Sequence, residues 1–327
     1  MTILGSIKQL AASFALGVCL LPLALAEPYP ARPVTIVLPF PAGGPSDIYA
    51  RALAQKLQLA LKQPFIVDNK PGATGLIGSN AVARASGDGY TILLTSNSAH
   101  IIAPMLRTKA PYDPSRDFEP ITILGSYPFC LMAGNSVQAT TTPALIALAK
   151  QSPGKLFFGS IGEGSGNHLM AEMFKQKAGI DIVHVPYKGA AAATSALIAG
   201  EIQMYFDSVG SAKKFVDAGR SRAIAVTGEK RSPLLPGVPT LREAGLAGFD
   251  ATIWLGVFVP RGTPSPIIAT LYTEIKNILD TDPDVRKLFA DTGTEILGMS
   301  PAEVTGSIRV EQRVWKELID RLKIRVD

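Results

Sequence analysis

Cysteine is almost absent. Among 327 residues only Cys19 and Cys130 carry a thiol. Loss of the first with a leader would leave no internal disulfide. Cys130, inside YPFCLMA, reads as a small core residue, with no neighbouring base to make it a nucleophile. Histidine is nearly as scarce. His100, His168 and His184 are the only three, and their dispersal lacks the His-x-x-x-His spacing of a helical zinc site. No run of lysine or arginine interleaves with aromatics, so the net charge of +5 is not a nucleic-acid footprint. Past residue 26 no apolar stretch is long enough to span a bilayer. No period of the solenoid kind recurs.

The N-terminus supplies one strong pattern. Lys8 precedes a short apolar run, Leu10 to Ala26, and Ala24-Leu25-Ala26 is a small-x-small cleavage pattern before polar Glu27. The expectation is a cleavable secretory signal over residues 1–26, with export to the periplasm. Removing it takes away Lys8 and leaves a net charge of +4. A lipoprotein signal at Cys19 is the weaker rival, because Val18 is bulkier than the small residue usual before a lipidated cysteine.

The remainder alternates short apolar runs with amphipathic segments. Strands are expected at Val34–Leu38, Phe65–Val67, Tyr90–Thr95, Leu156–Gly159, Val183–Val185, Ile202–Phe206 and Ala223–Val226. Helices are expected at Ile48–Leu61, Pro143–Lys150, Leu169–Ala178, Ala191–Ala199, Ile267–Leu279 and Val285–Asp291, with a last one after Ser300. The sequence Thr240-Leu241-Arg242-Glu243 reads as a capping box for a short helix ended by Gly245. This alternation means an α/β fold of doubly wound parallel sheets. Strands Ile121–Leu124 and Phe129–Ala133, separated by a turn at 126–128, and strand Ile253–Val259 read as two crossings between domains. The expected division is 27–125 with 251–327 as a discontinuous first domain and 126–250 as the second, with a ligand between them at the strands' carboxyl ends.

Five strand ends carry polar or glycine-rich loops: residues 39–47, 96–98, 160–168, 186–189 and 207–208. The first, PFPAGGPSD, places Gly43 and Gly44 where backbone N–H groups at a helix start suit an anion. Ser46 or Asp47 can cap that helix, and a capped turn without a ligand is the plain alternative. A Walker loop needs Gly-Lys-Ser/Thr, which AGGPSD lacks. In GEGSGN, Asn167 stands where the third glycine of a dinucleotide fingerprint belongs, so no cofactor is expected. The same loop is not Gly-x-Ser-x-Gly. An exported hydrolase built from Ser165, His168 and Asp207 remains the rival function, distinguished by turnover. Lys188 is either solvated or turned to the cleft. Asp207 ends an apolar strand and would accept a hydroxyl, amine or water hydrogen.

The stretches YPARPVTIVLPFPAGGPSDIYAR, DNKPGATGLIGSNAVARASGDGYTILL, PYDPSRDFEPI, HVPYKGA, AVTGEKRSPLLPGVPTLREAGL and GVFVPRGTPSP occur in order along the mature chain. Together they resemble the Bug receptors, the TctC-like substrate-binding proteins of tripartite tricarboxylate transporters. The resemblance implies a two-domain periplasmic binding protein of the Venus-flytrap type. It implies capture of a small organic carboxylate and delivery to a large and a small membrane subunit, by a monomer that is not an enzyme. It also implies a set of ligand-binding residues. Phe40, Pro41, Ala42, Gly43, Gly44, Ser46 and Asp47 would hold a carboxylate through backbone N–H groups and bridging waters. Thr74 and the loop Ser96, Asn97, Ser98 join them from the first domain. Ser160, Gly164, Ser165 and His168 would close from the second, with Tyr187, Lys188 and Asp207 at the cleft. Glu163, Gly166 and Asn167 depart from the common pattern and bear on ligand identity. Phe40, Tyr127, Phe129 and Tyr187 could add an aromatic wall, so an aromatic carboxylate stands beside a di- or tricarboxylate. An orphan or signalling receptor is the further alternative.

Overall fold

Strand β1, Val34–Leu38, is buried along nearly its whole length, as a parallel strand covered on both faces must be. It belongs to a computed structural model that describes residues 29–249 and 251–322. The expected signal, residues 1–26, lies outside the described residues, as does Cys19. All the elements below belong to one compact unit that begins at Arg32.

Helix α1, Pro45–Leu61, starts on a proline at its first position and buries Tyr49, Ala50, Leu53, Ala54 and Leu57, one face at helical spacing. Then follow β2 (Phe65–Asn69), α2 (Leu76–Ala83) and β3 (Thr91–Ser96). Strands β1, β2 and β3 pair in parallel, as expected. The next strand, β4, runs from Phe118 to Gly134 without interruption. After it come α3 (Thr142–Gln151), β5 (Phe157–Ser160), α4 (Gly166–Ala178), β6 (Val183–Pro186), α5 (Ala190–Ala199), β7 (Met204–Ser208), α6 (Val209–Asp217) and β8 (Ser221–Val226). Strand β9, Thr252–Pro260, returns, followed by α7 (Ser265–Thr281), α8 (Pro283–Asp291), the short β10 (Glu295–Ile296) and α9 (Pro301–Leu322).

The strand order is β2-β1-β3-β9-β4-β7-β5-β6, with β8 and β10 also pairing with β4. The two parallel trios match the doubly wound expectation, but the crossings are themselves antiparallel strands, so the sheet is mixed. The turn expected at 126–128 is absent: Ser126, Tyr127 and Pro128 pair with Trp254, Ile253 and Thr252. Pro128 is tolerated because it stands at the end of the ladder to β9, just where β4 passes to β7 and β8. The capping box at Thr240 forms, with Thr240 N donating to Glu243 Oε2 at 2.8 Å and Glu243 N to Thr240 Oγ1 at 3.0 Å. It closes a turn rather than a helix.

One apolar cluster runs from Val37 and Leu93 through Ile123, Phe129 and Ile253 to Phe158 and Phe206. A second packs Met132, Leu197 and Tyr205 around Cys130 on the other face of the second sheet. Cys130 is fully buried, and burial pushes its thiol well above the ordinary range, which keeps it inert.

Candidate functional site

The first loop is shaped by Asp47. Neither Ser46 nor Asp47 caps α1: the N-cap is Gly44, with no side-chain bond. Instead the Asp47 carboxylate, buried in the first turn, accepts from Gly43 N at 3.0 Å and Arg51 Nε at 2.8 Å, and from Asn69 Nδ2 at 2.9 Å. Asn69 Nδ2 also donates to Phe40 O. These bonds, Arg51 first, hold the carboxyl at about 2. Gly43 adopts φ +78, which only glycine takes without strain. Its amide is therefore spent within the loop. Pro41, Ala42 and Gly43 are exposed, and Gly44 and Ser46 half-buried.

The second turn is strained. Gly72, Ala73, Thr74 and Gly75 all have positive φ, including a β-branched residue at +55. Such outliers persist where surrounding structure over-determines them. Here Thr74 Oγ1 donates to Glu163 O at 3.2 Å, in the loop between β5 and α4. Beside it a Cβ on Gly164 would lie 2.6 Å from Leu106 Cδ1, so the two segments approach this closely only through glycine.

The loop after β3 turns toward β9 and α9. Ser96 Oγ and Ser98 Oγ lie 2.9 Å apart. Asn97 Nδ2 donates to Thr252 O at the start of β9 and to Glu311 Oε1 on α9. Glu311 also accepts from Trp254 and Trp315. A π-helical turn, Ser98–Ile102, follows where only a loop was expected.

The loop Ser160 to His168 is built on two stacked histidines, His168 and His184, with centroids 4.0 Å apart. Ser160 Oγ lies 2.6 Å from His184 Nε2. Gly164 N donates to His168 Nδ1 at 3.1 Å, which requires the neutral ring with its proton on Nε2. Burial, then His184 and Lys175, lowers His168 to about 3. Ser165 caps α4, accepting from His168 N and donating to Gly162 O. The grouping that a Ser165–His168–Asp207 hydrolase needs is not formed: each member bonds elsewhere. The three departing positions have packing roles. Glu163 supplies the carbonyl for Thr74, and a Cβ on Gly166 would meet Ile253 at 2.9 Å and Phe129 at 3.3 Å. Asn167 Nδ2 donates to Phe206 O at 2.6 Å.

Asp207 is the penultimate residue of β7, 5 % exposed. Its carboxylate accepts from Ser208 N at 2.8 Å and from Ser211 Oγ at 2.7 Å. Burial outweighs these bonds and raises it to about 6. Tyr187 packs half-buried against the second core cluster, its N–H on Ser160 O, and Lys188 is exposed. Neither lines the cavity with Gly43.

That cavity, about 370 Å³, lies between the β1–α1 turn (Gly43, Pro45, Tyr49) and the start of α6 (Ser208, Gly210, Ser211, Lys214), with Tyr127 and Thr292 between. Both walls follow carboxyl ends of parallel strands. Tyr49 is spent on Thr292 Oγ1 and Thr294 Oγ1, at 2.5 and 2.6 Å. The Tyr127 hydroxyl has no hydrogen-bond partner among the described residues. A larger cavity, about 640 Å³, is lined by Ser126, Pro128, Lys230 and Thr252. It meets the first cavity at Thr294, which lines both, and includes none of the expected residues. Sequence reading missed α6 altogether, and with it Ser211 and Lys214. The signal was there: Gly210, Ser211 and Lys214 recur at helical spacing directly after an apolar strand.

The family model described as tripartite tricarboxylate transporter family receptor matches residues 49–324. A Pseudomonas sp. (strain P51) protein of the tcbD-tcbE intergenic region is 36% identical over 302 residues, covering 92% of this chain and 89% of that protein. Bordetella pertussis BugT is 35% identical, covering 90% of each. Among solved structures, R. palustris Rpa4515 with adipate has a TM-score of 0.84 at 34% identity, covering 91% of this chain and 99% of that one. MatC from Rhodopseudomonas palustris with bound malate has 0.81 at 30%, covering 89% and 100%.

Proposed function

The chain belongs to the tripartite tricarboxylate transporter receptor family, and from that premise we propose that it is a periplasmic receptor that captures a small organic carboxylate. The two lobes, 27–125 with 251–327 and 126–250, close on the ligand around β4 and β9. The carrying observation is the single cavity onto which the β1–α1 turn and the β7–α6 turn both open. Relatives of known structure hold adipate and malate, which supports a carboxylate over other solutes. The mature receptor begins at Glu27, acts as a monomer and hands its ligand to a large and a small membrane subunit.

The shape of the first turn supports the grip. With Asp47 holding Gly43, the turn is preorganised, and a ligand carboxylate meets remaining backbone N–H groups rather than a charged side chain. Calorimetric titration of the purified receptor against aliphatic and aromatic mono-, di- and tricarboxylates tests the reading. Expected is saturable binding of at least one acid, recovered unchanged, with a rise in thermal stability. Turnover of a carboxylate ester would favour the hydrolase reading, and a panel with no binder would overturn the proposal. Uptake of the bound acid in cells lacking the membrane subunits tests delivery.

A further inference from the structure

An open groove of about 420 Å³ lies between α2 and the segment 107–111, and it includes none of the residues expected to meet the ligand. Its floor is apolar. Leu76 is buried there, and Ile77 is 57 % exposed. The preceding turn makes room for Ile77, since a Cβ on Gly72 would lie 2.5 Å from Ile77 Cδ1. That turn also supplies one edge of the groove through Ala73, at φ +47, and such strain gathers at clamps and switch regions. The rim is basic. Arg107 is half-buried and Lys109 exposed, and neither has an ion-pair partner among the described residues. No residue lining the groove is acidic. The acids nearby are occupied or apart. Beyond Pro111 an adjoining cavity sets Arg84 and Arg116 beside Asp113 and Asp117, so its charges balance. Those two carboxylates accept from Ser115 N and Asp113 N. On the other side of Arg107, Glu163 lines a much smaller cavity and forms no ion pair with it.

An apolar floor under an unpaired basic rim is complementary to a peptide segment that carries acidic side chains beside an apolar one. A bilayer fits less well. Anionic lipid is drawn by clusters of roughly four to eight Lys and Arg, and this groove offers two. We infer that the groove is a docking site for an acidic segment of a protein partner. The inference rests on the delivery reading given above, on which that segment belongs to the membrane subunits. Arg107 and Lys109 pair with its carboxylates, and Ile77 and Leu76 cover the apolar side chain between them.

The test is titration of the whole mature receptor, loaded with the acid it binds most tightly in the carboxylate panel, against the large and small membrane subunits reconstituted in phosphatidylcholine vesicles. Wild type is compared with the neutralised pair Arg107→Ala/Lys109→Ala and the reversed pair Arg107→Glu/Lys109→Glu. The control is Lys150→Glu/Lys155→Glu, the same change of net charge on exposed residues outside the groove. Lys109→Glu alone, on an exposed side chain, carries the test should the double changes disturb the fold. The expected result is about a 10-fold loss of vesicle binding in the neutralised pair, because exposed ion pairs contribute modestly. The reversed pair should bind more weakly still, and the control as wild type. Calorimetry with the acid alone should be unchanged in every variant, which separates docking from ligand capture. Equal vesicle binding by all variants, or an equal loss in the control, removes the groove as a docking site and leaves delivery intact. The same loss on subunit-free phosphatidylglycerol vesicles would assign the groove to anionic lipid and overturn the inference. Failure of acid-loaded wild type to bind the subunits overturns the delivery reading and this inference together.

Discussion

The hydroxyl of Thr74 donates to the main-chain carbonyl of Glu163, joining a strained turn of the first lobe to the glycine-rich loop of the second. On the proposed closure mechanism this bond is made only in the closed form, so it biases the opening equilibrium. Removing one neutral hydrogen bond costs about 0.5–1.5 kcal/mol, or roughly 2- to 12-fold in ligand affinity. Thr74→Ala is expected to show that loss and Thr74→Ser to avoid it, since both relieve β-branching at positive φ. Small-angle scattering without ligand should show a larger radius of gyration for Thr74→Ala. Equal affinities and radii for the two variants would remove the bond from the closure mechanism.

The paired glycines of the first turn should behave differently. At Gly43 an added Cβ meets nothing within 4 Å, yet φ is +78. Gly43→Ala therefore costs about 1–2 kcal/mol of stability through backbone conformation alone. At Gly44 φ is ordinary, and the added atom lies 3.4 Å from Pro41 O. Gly44→Ala should leave the chemical-denaturation midpoint nearly unchanged. If the turn grips a carboxylate through its backbone, Gly44→Val lowers affinity more than 10-fold in calorimetry with the fold intact. Unaltered binding in Gly44→Val would move the anion elsewhere.

Asp207 should make binding pH-dependent. Its folded value, about 6, lies above the 3.8 of the unfolded chain. Between about pH 4 and 6 the unfolded chain ionises first, so this group's contribution to stability falls as pH rises, by about 3 kcal/mol in total, and is constant above 6. Above pH 6 the ionised carboxylate also repels an anionic ligand. Affinity for a carboxylate is expected to rise as pH falls from 8 to 5, after correction for protonation of the ligand itself. Asp207→Asn should flatten that profile, and a slope that survives the substitution would assign it to another group.

His100 works in the opposite sense. It is fully buried, its ring 4.0 Å from that of Phe258, and neither nitrogen has a partner among the described residues. Burial lowers it to about 3. Below the unfolded value of 6.5 the unfolded chain takes up a proton that the folded ring refuses, so stability falls as pH drops from 6.5 toward 3. Over the pH 7 to 5 interval the loss is about 2 kcal/mol for this residue. His100→Phe is expected to keep more of its thermal midpoint on acidification than wild type. Parallel losses in both proteins would point to His168 as the dominant group.

The sequence was most legible where short apolar runs ended in glycine or serine, because parallel strands buried on both faces leave few other readings. Four of the five polar loops do follow strand ends, while residues 207–208 close β7 itself, which runs directly into α6. What could not be read was the partner of each loop side chain. Asp47 looked like a cap and is a brace, since its three donors include Asn69, which lies 22 residues away in sequence. Asn97 looked like a cleft residue and reaches β9 and α9. Pro128 suggested a turn because a proline in a central strand usually breaks it. Only the late arrival of β9, which ends its ladder there, makes that position harmless.

The uninterrupted course of β4 also sets an order of assembly. Strand β3 finds its neighbour in β9, with Leu93 opposite Phe258, and β4 lies beyond β9 in the same sheet. As the chain is made, the first lobe therefore waits for the whole second lobe before its sheet can be completed. Non-local pairings of this span are slow to form. A chain that must stay unfolded to cross a membrane would gain time from such a layout, whereas truncation before residue 252 would strand β3 with an open edge and invite aggregation.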